Sequence, residues 1–432
     1  MTIRNVRRQH TVGQGFFHSS EITPEDKDAF LFVYDCGSKD KYAVARRREI
    51  DSYINIISKN RTIDILFISH THADHVNGLP QLLDIKHGAR VDTIVLPLIN
   101  VVERVITFAR AAAEDSTSAK SAFYRDFIVD PAAAMERFRP RQIIFIRRGG
   151  PDGSAPDGDE PPTRGPEGAD LHGRIVDGLG PTWKLVGRGK VEEIEGADKD
   201  KSKARRYVLD DSGAISVRGS RFSWLLAPYV DPGIAAHQSK FLDELAKQCK
   251  IPRSQIKRWL NTAGNLLDLV TTKIKLLEAA YKAISGELNI TSLCLYSGPA
   301  RYNPPSIPTY AFGFFGCIYH KDRGIDKRIA WLGTGDAALK QVARRNAFVT
   351  HYGKLFDKVM TMTLPHHGSD HNFHPDLLSR VQAAVYIAAA DHITTWHHPG
   401  SETVQSICSV PAVLQVVTSA PPSGAYEEVE LG

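Results

Sequence analysis

Short apolar runs separated by polar turns recur in the first and last parts of this 432-residue chain. Residues 63–68 and 91–98 are rich in β-branched and other apolar side chains, which is typical of buried strands. Residues 12–17 and 30–38 also have strand character, and their proximity predicts a hairpin. Residues 101–138 follow a helical pattern. The chain therefore mixes strands with helices.

Two segments interrupt this pattern. Residues 149–171 are rich in Gly, Pro and acidic residues, which predicts a mobile loop. Residues 233–287 form a predicted helical insert, in which apolar positions recur at steps of three and four over residues 256–284 and predict one long amphipathic helix. Its polar face is basic. A cap with a solvated face is one interpretation, and a face for nucleic acid or a second copy is the other.

Composition narrows the class of protein. A hydrophobic content of 42% supports a sizeable core, and a net charge of +5 is compatible with a polyanionic substrate. Five cysteines without a C-x-x-C pair favour a reducing compartment over a disulfide framework. The first ten residues lack the apolar core of a secretory signal, and no apolar run is long enough to cross a bilayer. We therefore expect a cytoplasmic protein without a membrane partner.

The richest chemistry lies in residues 70–75, which read H-T-H-A-D-H directly after the predicted strand 63–69. Imidazole is a common ligand for transition metals, and a carboxylate suits a neighbouring, harder cation. In an extended turn His70 and His72 point the same way, whereas Asp74 and His75 face an adjacent position. Paired ions held in this way activate water for hydrolysis. A histidine-rich surface loop is the alternative, which four such ligands within six residues make the weaker one.

This stretch resembles the H-x-H-x-D-H signature of the metallo-β-lactamase superfamily. Further motifs follow the same order as in that superfamily. They are the Asp35 turn, an N-x-x-S element with Asn289 and Ser292, T-G-D at residues 334–336, P-H-H-G-S at residues 365–369 and H-P at residues 398–399. This set is similar to the hydrolase domain of bacterial DNA-uptake (competence) proteins and their free-standing relatives.

The resemblance implies an α/β fold of four layers, an αββα sandwich with two mixed sheets and the metal ions at one edge between them. Residues 1–232 and 288–432 would build the hydrolase domain. The polar loop 149–171 and the helical insert 233–287 would be additions to it.

The resemblance also assigns roles to individual residues. The metal ligands would be His70, His72, Asp74, His75, Asp336 and His366. Asp336 would bridge two ions, and Asp74 would also orient the attacking hydroxide. Asp35 would support the metal loop from behind by fixing an imidazole tautomer.

Further roles concern the substrate. His367 would contact the substrate or support a ligand, and His398 would act at the rim as a phosphate contact or proton donor. Ser369 and Asn289 would bind substrate. Many relatives have another metal-binding histidine between the H-x-H-x-D-H and T-G-D motifs, and no convincing equivalent is found here. One metal position could therefore be open, weak or completed by water.

We expect two divalent ions, with zinc favoured by the histidine-rich ligands and manganese or iron as alternatives. The expected activity is hydrolysis of a phosphodiester in DNA or RNA by a metal-bound hydroxide. A hydrolase of lactones, thioesters or cyclic nucleotides is the first alternative, because one fold supports many chemistries. A non-enzymatic, metal-stabilised component of a bacterial multi-protein system is the second. The helical insert is the expected surface for a second copy or a protein partner.

Overall fold

The structure is a computed structural model. It describes residues 3–25, 28–57, 61–149, 154–156, 171–176, 180–194, 203–218, 223–233, 235–284, 291–300, 309–314, 317–320, 328–392 and 397–431. The predicted mobile loop at residues 149–171 lies outside these ranges except for Gly149, residues 154–156 and Leu171.

The strands within these ranges are β1 (Ile3–Gln9), β2 (Gly15–Pro24), β3 (Phe30–Ser38), β4 (Thr62–Phe67), β5 (Arg90–Pro97), β6 (Gln142–Arg147), β7 (Ile175–Val176), β8 (Gly180–Pro181), β9 (Trp183–Gly187), β10 (Val191–Glu193), β11 (Arg205–Asp210), β12 (Gly213–Arg218), β13 (Ser223–Asp231), β14 (Ser292–Pro299), β15 (Thr309–Phe314), β16 (Cys317–His320), β17 (Ala330–Gly333), β18 (Val359–Thr363), β19 (Val385–Ala389), β20 (Val413–Val417) and β21 (Ala425–Leu431).

The helices are α1 (Ala43–Ile57), α2 (Ala73–Val76), α3 (Leu79–Leu82), α4 (Val101–Glu114), α5 (Ser116–Lys120), α6 (Ala122–Val129), α7 (Pro131–Glu136), α8 (Ala235–Cys249), α9 (Ile256–Leu260), α10 (Ala263–Thr271), α11 (Ile274–Lys282), α12 (Val342–Tyr352), α13 (Asp376–Val381) and α14 (Ser401–Cys408). Short 3-10 helices occur at Asp40–Tyr42, Gly353–Lys358, Pro365–Gly368 and Pro421–Ser423.

Two large mixed sheets are built from these strands. The first has the order β10-β11-β6-β5-β4-β3-β2-β1-β21-β15-β16, and the second has the order β20-β19-β18-β17-β14-β13-β12-β9. In the first sheet, β3, β4, β5, β6 and β11 form a run of mutually parallel strands, and in the second sheet β17, β18, β19 and β20 form another. The predicted pairing of residues 12–17 with residues 30–38 is confirmed by the antiparallel register of β2 and β3.

The apolar residues form three clusters that correspond to the interfaces between four layers. On β4, Phe67 faces a cluster between the sheets that also contains Trp331 of β17, whereas Leu66 faces outward. Leu66 packs in a second cluster with helices such as α4, represented by Phe108. A third cluster joins the outer face of the second sheet to α12, represented by Phe348. Because successive side chains of a strand point to opposite sides, each strand contributes apolar residues to both faces of its sheet. The predicted αββα sandwich is confirmed.

The helical insert differs from its prediction. One long helix over residues 256–284 is wrong, because the structure has three short helices there, α9, α10 and α11. Thr262 adopts an extended backbone before α10, and the hydroxyl of Thr272 donates to the backbone oxygen of Asp268. Threonine hydroxyls that bond to the backbone in this way compete with helix continuation. The apolar faces of these helices pack in the same cluster as α4 and α6. The boundaries of the insert at residues 233 and 287 stay a prediction.

None of the described helices combines the length and the apolar character needed to cross a bilayer.

Candidate metal centre

Three turns that follow parallel strands meet at one edge of the two sheets. The first follows β4, the second follows β17 and the third follows β18. The backbone oxygen of Ser69 in the first turn accepts from the amide of Leu293 in the second sheet at 2.7 Å. The amide of His366 in the third turn donates to the oxygen of Gly335 in the second turn at 2.9 Å. Backbone hydrogen bonds therefore fix the turns relative to one another.

Asp336 lies at the centre of this edge. Its Oδ2 is 3.2 Å from Nε2 of His70, 3.4 Å from Nδ1 of His72 and 3.7 Å from Nε2 of His366. Its Oδ1 is 3.8 Å from Nε2 of His75. Each carboxylate oxygen faces a different histidine group, and this is the arrangement that a bridging carboxylate between two cations requires.

The turn that carries Asp336 has a specific backbone requirement. Gly335 has a φ of +50°, a region that glycine adopts without the cost that a Cβ imposes. The amide of Asp336 donates to the hydroxyl of Ser292 at 2.9 Å. The T-G-D sequence thus closes tightly enough for the carboxylate to reach the first turn.

Two groups of three side chains have ligand atoms close enough to hold an ion. His70, His75 and Asp336 form one group, and Asp74, His75 and His367 form the other, with all ligand atoms of each group within 4.8 Å of one another. His75 belongs to both groups. All five residues are buried, so the sequence-predicted residues of the first two turns do come together.

The consecutive histidines of the third turn both face the site. His366 and His367 have φ values of +49° and +59°, which is rare for residues with a side chain. Nδ1 of His366 lies 3.1 Å from Oδ1 of Asn372, and Nδ1 of His367 lies 2.8 Å from the backbone oxygen of Ala389. In both rings Nε2 is left to face the site, near Asp336 for His366 and near Asp74 for His367. The sequence favours His366 alone as the ligand, whereas the geometry brings both rings into position.

Asp35 supports the first turn from behind. It is fully buried, has a φ of +57°, and accepts from the amide and the hydroxyl of Ser69 at 2.6 Å each. Its Oδ2 also lies 2.7 Å from Nδ1 of His75. Burial lowers the pKa of His75, but the charge and hydrogen bond of Asp35 outweigh it and raise this pKa to about 9. Asp35 therefore fixes the His75 ring with Nε2 toward Asp336.

The protonation states of Asp336, His70 and His72 suit a cation, whereas His75, with its raised pKa, would release a proton when it binds a metal. Burial raises the pKa of Asp336, but the neighbouring His366 and His70 outweigh this effect and hold the pKa well below its usual range. Burial lowers the pKa values of His70 and His72. Ionised carboxylates and neutral imidazoles are the forms that bind metals.

Unpaired buried atoms give an independent test of whether a metal fits. Among the described residues, Nε2 of His72, Nε2 of His75 and Oδ1 of Asp336 are buried without a hydrogen-bond partner. Such atoms are costly in a folded protein unless something satisfies them. Three of them within one histidine and aspartate cluster fit divalent ions that these side chains would coordinate.

The remaining predicted residues are placed as follows. The ring of His398 is 5.5 Å from that of His366, and Gln14 donates from Nε2 to Nδ1 of His398 at 3.2 Å, so His398 lies at the rim. Burial lowers the pKa of His398 to about 3. The hydroxyl of Ser369 accepts from the amide of His371 within its own turn and does not line the cavity above the site. Asn289 lies outside the described residues.

Two cationic side chains at the site belong to none of the sequence motifs. Arg110 of α4 and Lys39, which follows β3, both line the cavity that contains His72, Asp74 and Asp336. Nη2 of Arg110 lies 3.5 Å from Nε2 of His366. Lys39 lies two residues after Gly37 of the Asp35 turn, a position that could have drawn attention to it. Arg110 lies on a helix with no motif around it.

Known proteins resemble parts of this chain. A family model described as Metallo-beta-lactamase superfamily matches residues 25–91, which include the Asp35 turn and the H-T-H-A-D-H stretch. A ribonuclease Z of Treponema denticola is 42% identical over 57 residues, which are 13% of this chain and 16% of that protein. The crystal structure of a long form RNase Z from yeast aligns with 84% of this chain and 32% of that chain, at 8% identity and a TM-score of 0.27.

The family match makes residues 25–91 similar to the metallo-β-lactamase class of hydrolases. Divalent metal ions belong to that class, and the histidine and aspartate groups of this chain are where they would bind. Because the chain spans only a small part of the ribonuclease Z that it matches, that protein's activity is not transferred here. Similarity to competence proteins stays a prediction.

Proposed function

We propose that this protein is a metal-dependent phosphodiesterase that cleaves nucleic acid, with RNA as the first candidate and DNA as the second. The observation that carries the proposal is Asp336, whose two carboxylate oxygens face two different sets of possible ligands, one around His70 and the other around His75. Two ions held by neighbouring sets of ligands would serve in-line displacement at phosphorus. The name of the matching relative, ribonuclease Z, favours RNA.

The proposed ligands divide between two ions. His70, His72 and His366 would hold one with Asp336, and Asp74, His75 and His367 would hold the other with Asp336. In this assignment His366 takes the place of the histidine that the sequence lacks between the H-x-H-x-D-H and T-G-D motifs. We propose zinc for both positions, with manganese as the alternative. When bound, the ions would supply a hydroxide at neutral pH and compensate charge on the phosphate.

The chain's own side chains position the reactants. Asp35 keeps His75 in one tautomer, and Asp74 is placed to orient a nucleophile beside its own ligand group. At the rim, Gln14 donates to Nδ1 of His398, so the proton of this neutral ring resides on Nε2. His398 can then donate a hydrogen bond to a phosphate oxygen, which favours a phosphate contact over proton transfer as its role.

The composition of the cavity favours a charged substrate over an apolar one. Apart from two alanines, its lining consists of polar or ionisable side chains, namely Gln14, Lys39, His72, Asp74, Arg110, Asp115, Asp336, His366, His367 and His398. A pocket for an apolar acyl chain would be lined mainly by hydrophobic side chains.

We keep the cytoplasm as the proposed location and the helical insert as the proposed surface for a second copy or protein partner.

The test is a hydrolysis panel with purified protein that is either metal-free or reconstituted with zinc or manganese. The substrates are structured RNA, single-stranded DNA, plasmid DNA, bis(p-nitrophenyl) phosphate, a lactone and a thioester. We expect phosphodiester cleavage only with metal, loss of cleavage in Asp336→Asn, and normal cleavage in His87→Asn, whose residue is exposed. Cleavage restricted to the lactone or thioester, or none at all, would contradict the proposal.

A further inference from the structure

We propose that Arg110 and Lys39 form a phosphate clamp at the mouth of the metal centre, and that Glu114 positions both cations. This inference rests on the proposed function, since the ligand of the clamp is the phosphodiester of that reaction. None of the three residues belongs to a motif that the sequence analysis singled out.

The location of the two cations is the first observation. Both line the same cavity as Asp336, His366 and His367. Their side chains are 14% and 18% exposed, so each is largely enclosed yet open to the cavity. Nη2 of Arg110 reaches within 3.5 Å of Nε2 of His366, which places the guanidinium at the edge of the proposed ligand set.

Electrostatics supply the second argument. A guanidinium and an ammonium beside two divalent ions would repel them, and water screens such repulsion only weakly in a partly buried site. An anion that lies between the metal ions and the two side chains turns this repulsion into attraction. A phosphodiester presents one negative charge shared by two oxygens, and the planar fork of arginine matches that geometry. The arrangement is therefore complete only when a phosphate is bound.

Glu114 organises the clamp. Nε of Arg110 donates to Oε2 of Glu114 at 3.0 Å, and Nζ of Lys39 lies 3.8 Å from the same oxygen. The hydroxyl of Tyr281, on α11 of the helical insert, donates to Oε1 at 3.0 Å. Since Glu114 holds the guanidinium through Nε, the Nη2 edge is directed toward the metal ligands. The insert thus contributes one hydrogen bond to the substrate side of the site.

The experiment combines binding and kinetics. Binding of a fluorescent single-stranded RNA to metal-free protein is measured with Arg110→Gln, Arg110→Lys and Lys39→Gln. Arg137→Gln serves as a control because its side chain is half-exposed and does not line the cavity. We expect about tenfold weaker binding for Arg110→Gln, an intermediate loss for Arg110→Lys, and no change for Arg137→Gln. In the zinc-loaded proteins KM for RNA should rise in the same order while the zinc content stays at the wild-type value.

The outcomes separate the clamp from the proposed function. If the wild type cleaves RNA but Arg110→Gln and Lys39→Gln retain its KM and its binding constant, the clamp is wrong and the phosphodiesterase stands. If Arg110→Gln loses zinc, Arg110 supports the ligands instead, which also overturns the clamp. A wild type that neither binds nor cleaves nucleic acid overturns both. Glu114→Gln and Tyr281→Phe should raise KM with kcat and metal content retained, and a fall in kcat alone would contradict the positioning role.

Discussion

The carboxylate of Asp35 lies 2.7 Å from Nδ1 of His75, on the side of the ring opposite to Nε2, which faces Asp336. A carboxylate in this place orients the ring and raises its basicity as a ligand. This contact links the backbone turn after β3 to the ligand groups at the end of β4.

Replacement of Asp35 tests the importance of this contact. Asp35→Asn should weaken zinc binding by about 10- to 100-fold, because the amide can neither fix the tautomer through the same bond nor increase the basicity of His75. Competition with a chromophoric chelator measures the change. Asp126→Asn, whose residue is exposed on α6, is the matched control and should bind zinc like the wild type. Equal affinity in Asp35→Asn would show that Asp35 has only a structural role.

The two consecutive histidines provide a second test. His366→Asn and His367→Asn should each lower the amount of tightly bound cobalt by about one equivalent, because each ring faces a different ligand group. The absorption bands of the cobalt-substituted protein should change differently in the two variants, since different ions lose a ligand. A His367→Asn protein with the wild-type spectrum and both equivalents would contradict this assignment.

The interface between the sheets determines much of the stability. Phe67 is fully buried in the cluster that both sheets share, so Phe67→Ala should lower the free energy of unfolding by about 3–5 kcal/mol. Val44, whose side chain is 79% exposed on α1, provides the comparison. Val44→Ala should change the free energy of unfolding by less than about 0.5 kcal/mol. Urea unfolding of the metal-free proteins measures both values. Equal effects would show that the inter-sheet cluster is not the main source of stability.

Glu49, which is not one of the residues that line the candidate metal centre, makes stability depend on pH. Burial raises its pKa, but its hydrogen bonds with His10 and Thr11 outweigh burial and lower the pKa to about 2 from 4.5. Because the folded pKa is the lower one, the carboxylate stabilises the fold above pH 4.5 and this contribution disappears as the pH falls toward 2. Glu49→Gln should therefore cost about 1–2 kcal/mol at pH 7, after allowance for solvent screening.

The pH dependence distinguishes charge from packing for Glu49→Gln. The stability difference from the wild type, measured by urea unfolding at several pH values, should shrink steadily between pH 4.5 and the most acidic pH at which both proteins still fold. A difference that stays constant over this interval would mean that the carboxylate charge contributes nothing.

The sequence predicts the parts of the site whose residues are close together along the chain better than the parts that packing brings together. His70, His72, Asp74 and His75 are contiguous after a strand, so their spacing alone indicates a shared ligand function. His367 was less predictable, because the positive φ values that turn both histidines inward are not encoded in a recognisable pattern. The position of Arg110 depends on how α4 packs against the first sheet, which no local motif encodes.

The fold follows a similar division. Leu66 and Phe67 are neighbours on one strand but pack in two different clusters. An apolar sequence reveals this alternation only when a layer covers each face of the sheet. The helical insert was predicted as helical, but its breaks depend on hydrogen bonds from threonine hydroxyls, such as that of Thr272 to Asp268. Apolar periodicity continues through these breaks, and for this reason it predicted one helix where the structure has three.

The most direct test of the account is the number of zinc ions retained per chain after dialysis, measured by elemental analysis of the wild type and Asp336→Asn. Convergence of the three turns on Asp336 predicts about two ions in the wild type and at most about one in Asp336→Asn, with the variant still folded. Equal zinc content in the two proteins would contradict a centre built around Asp336.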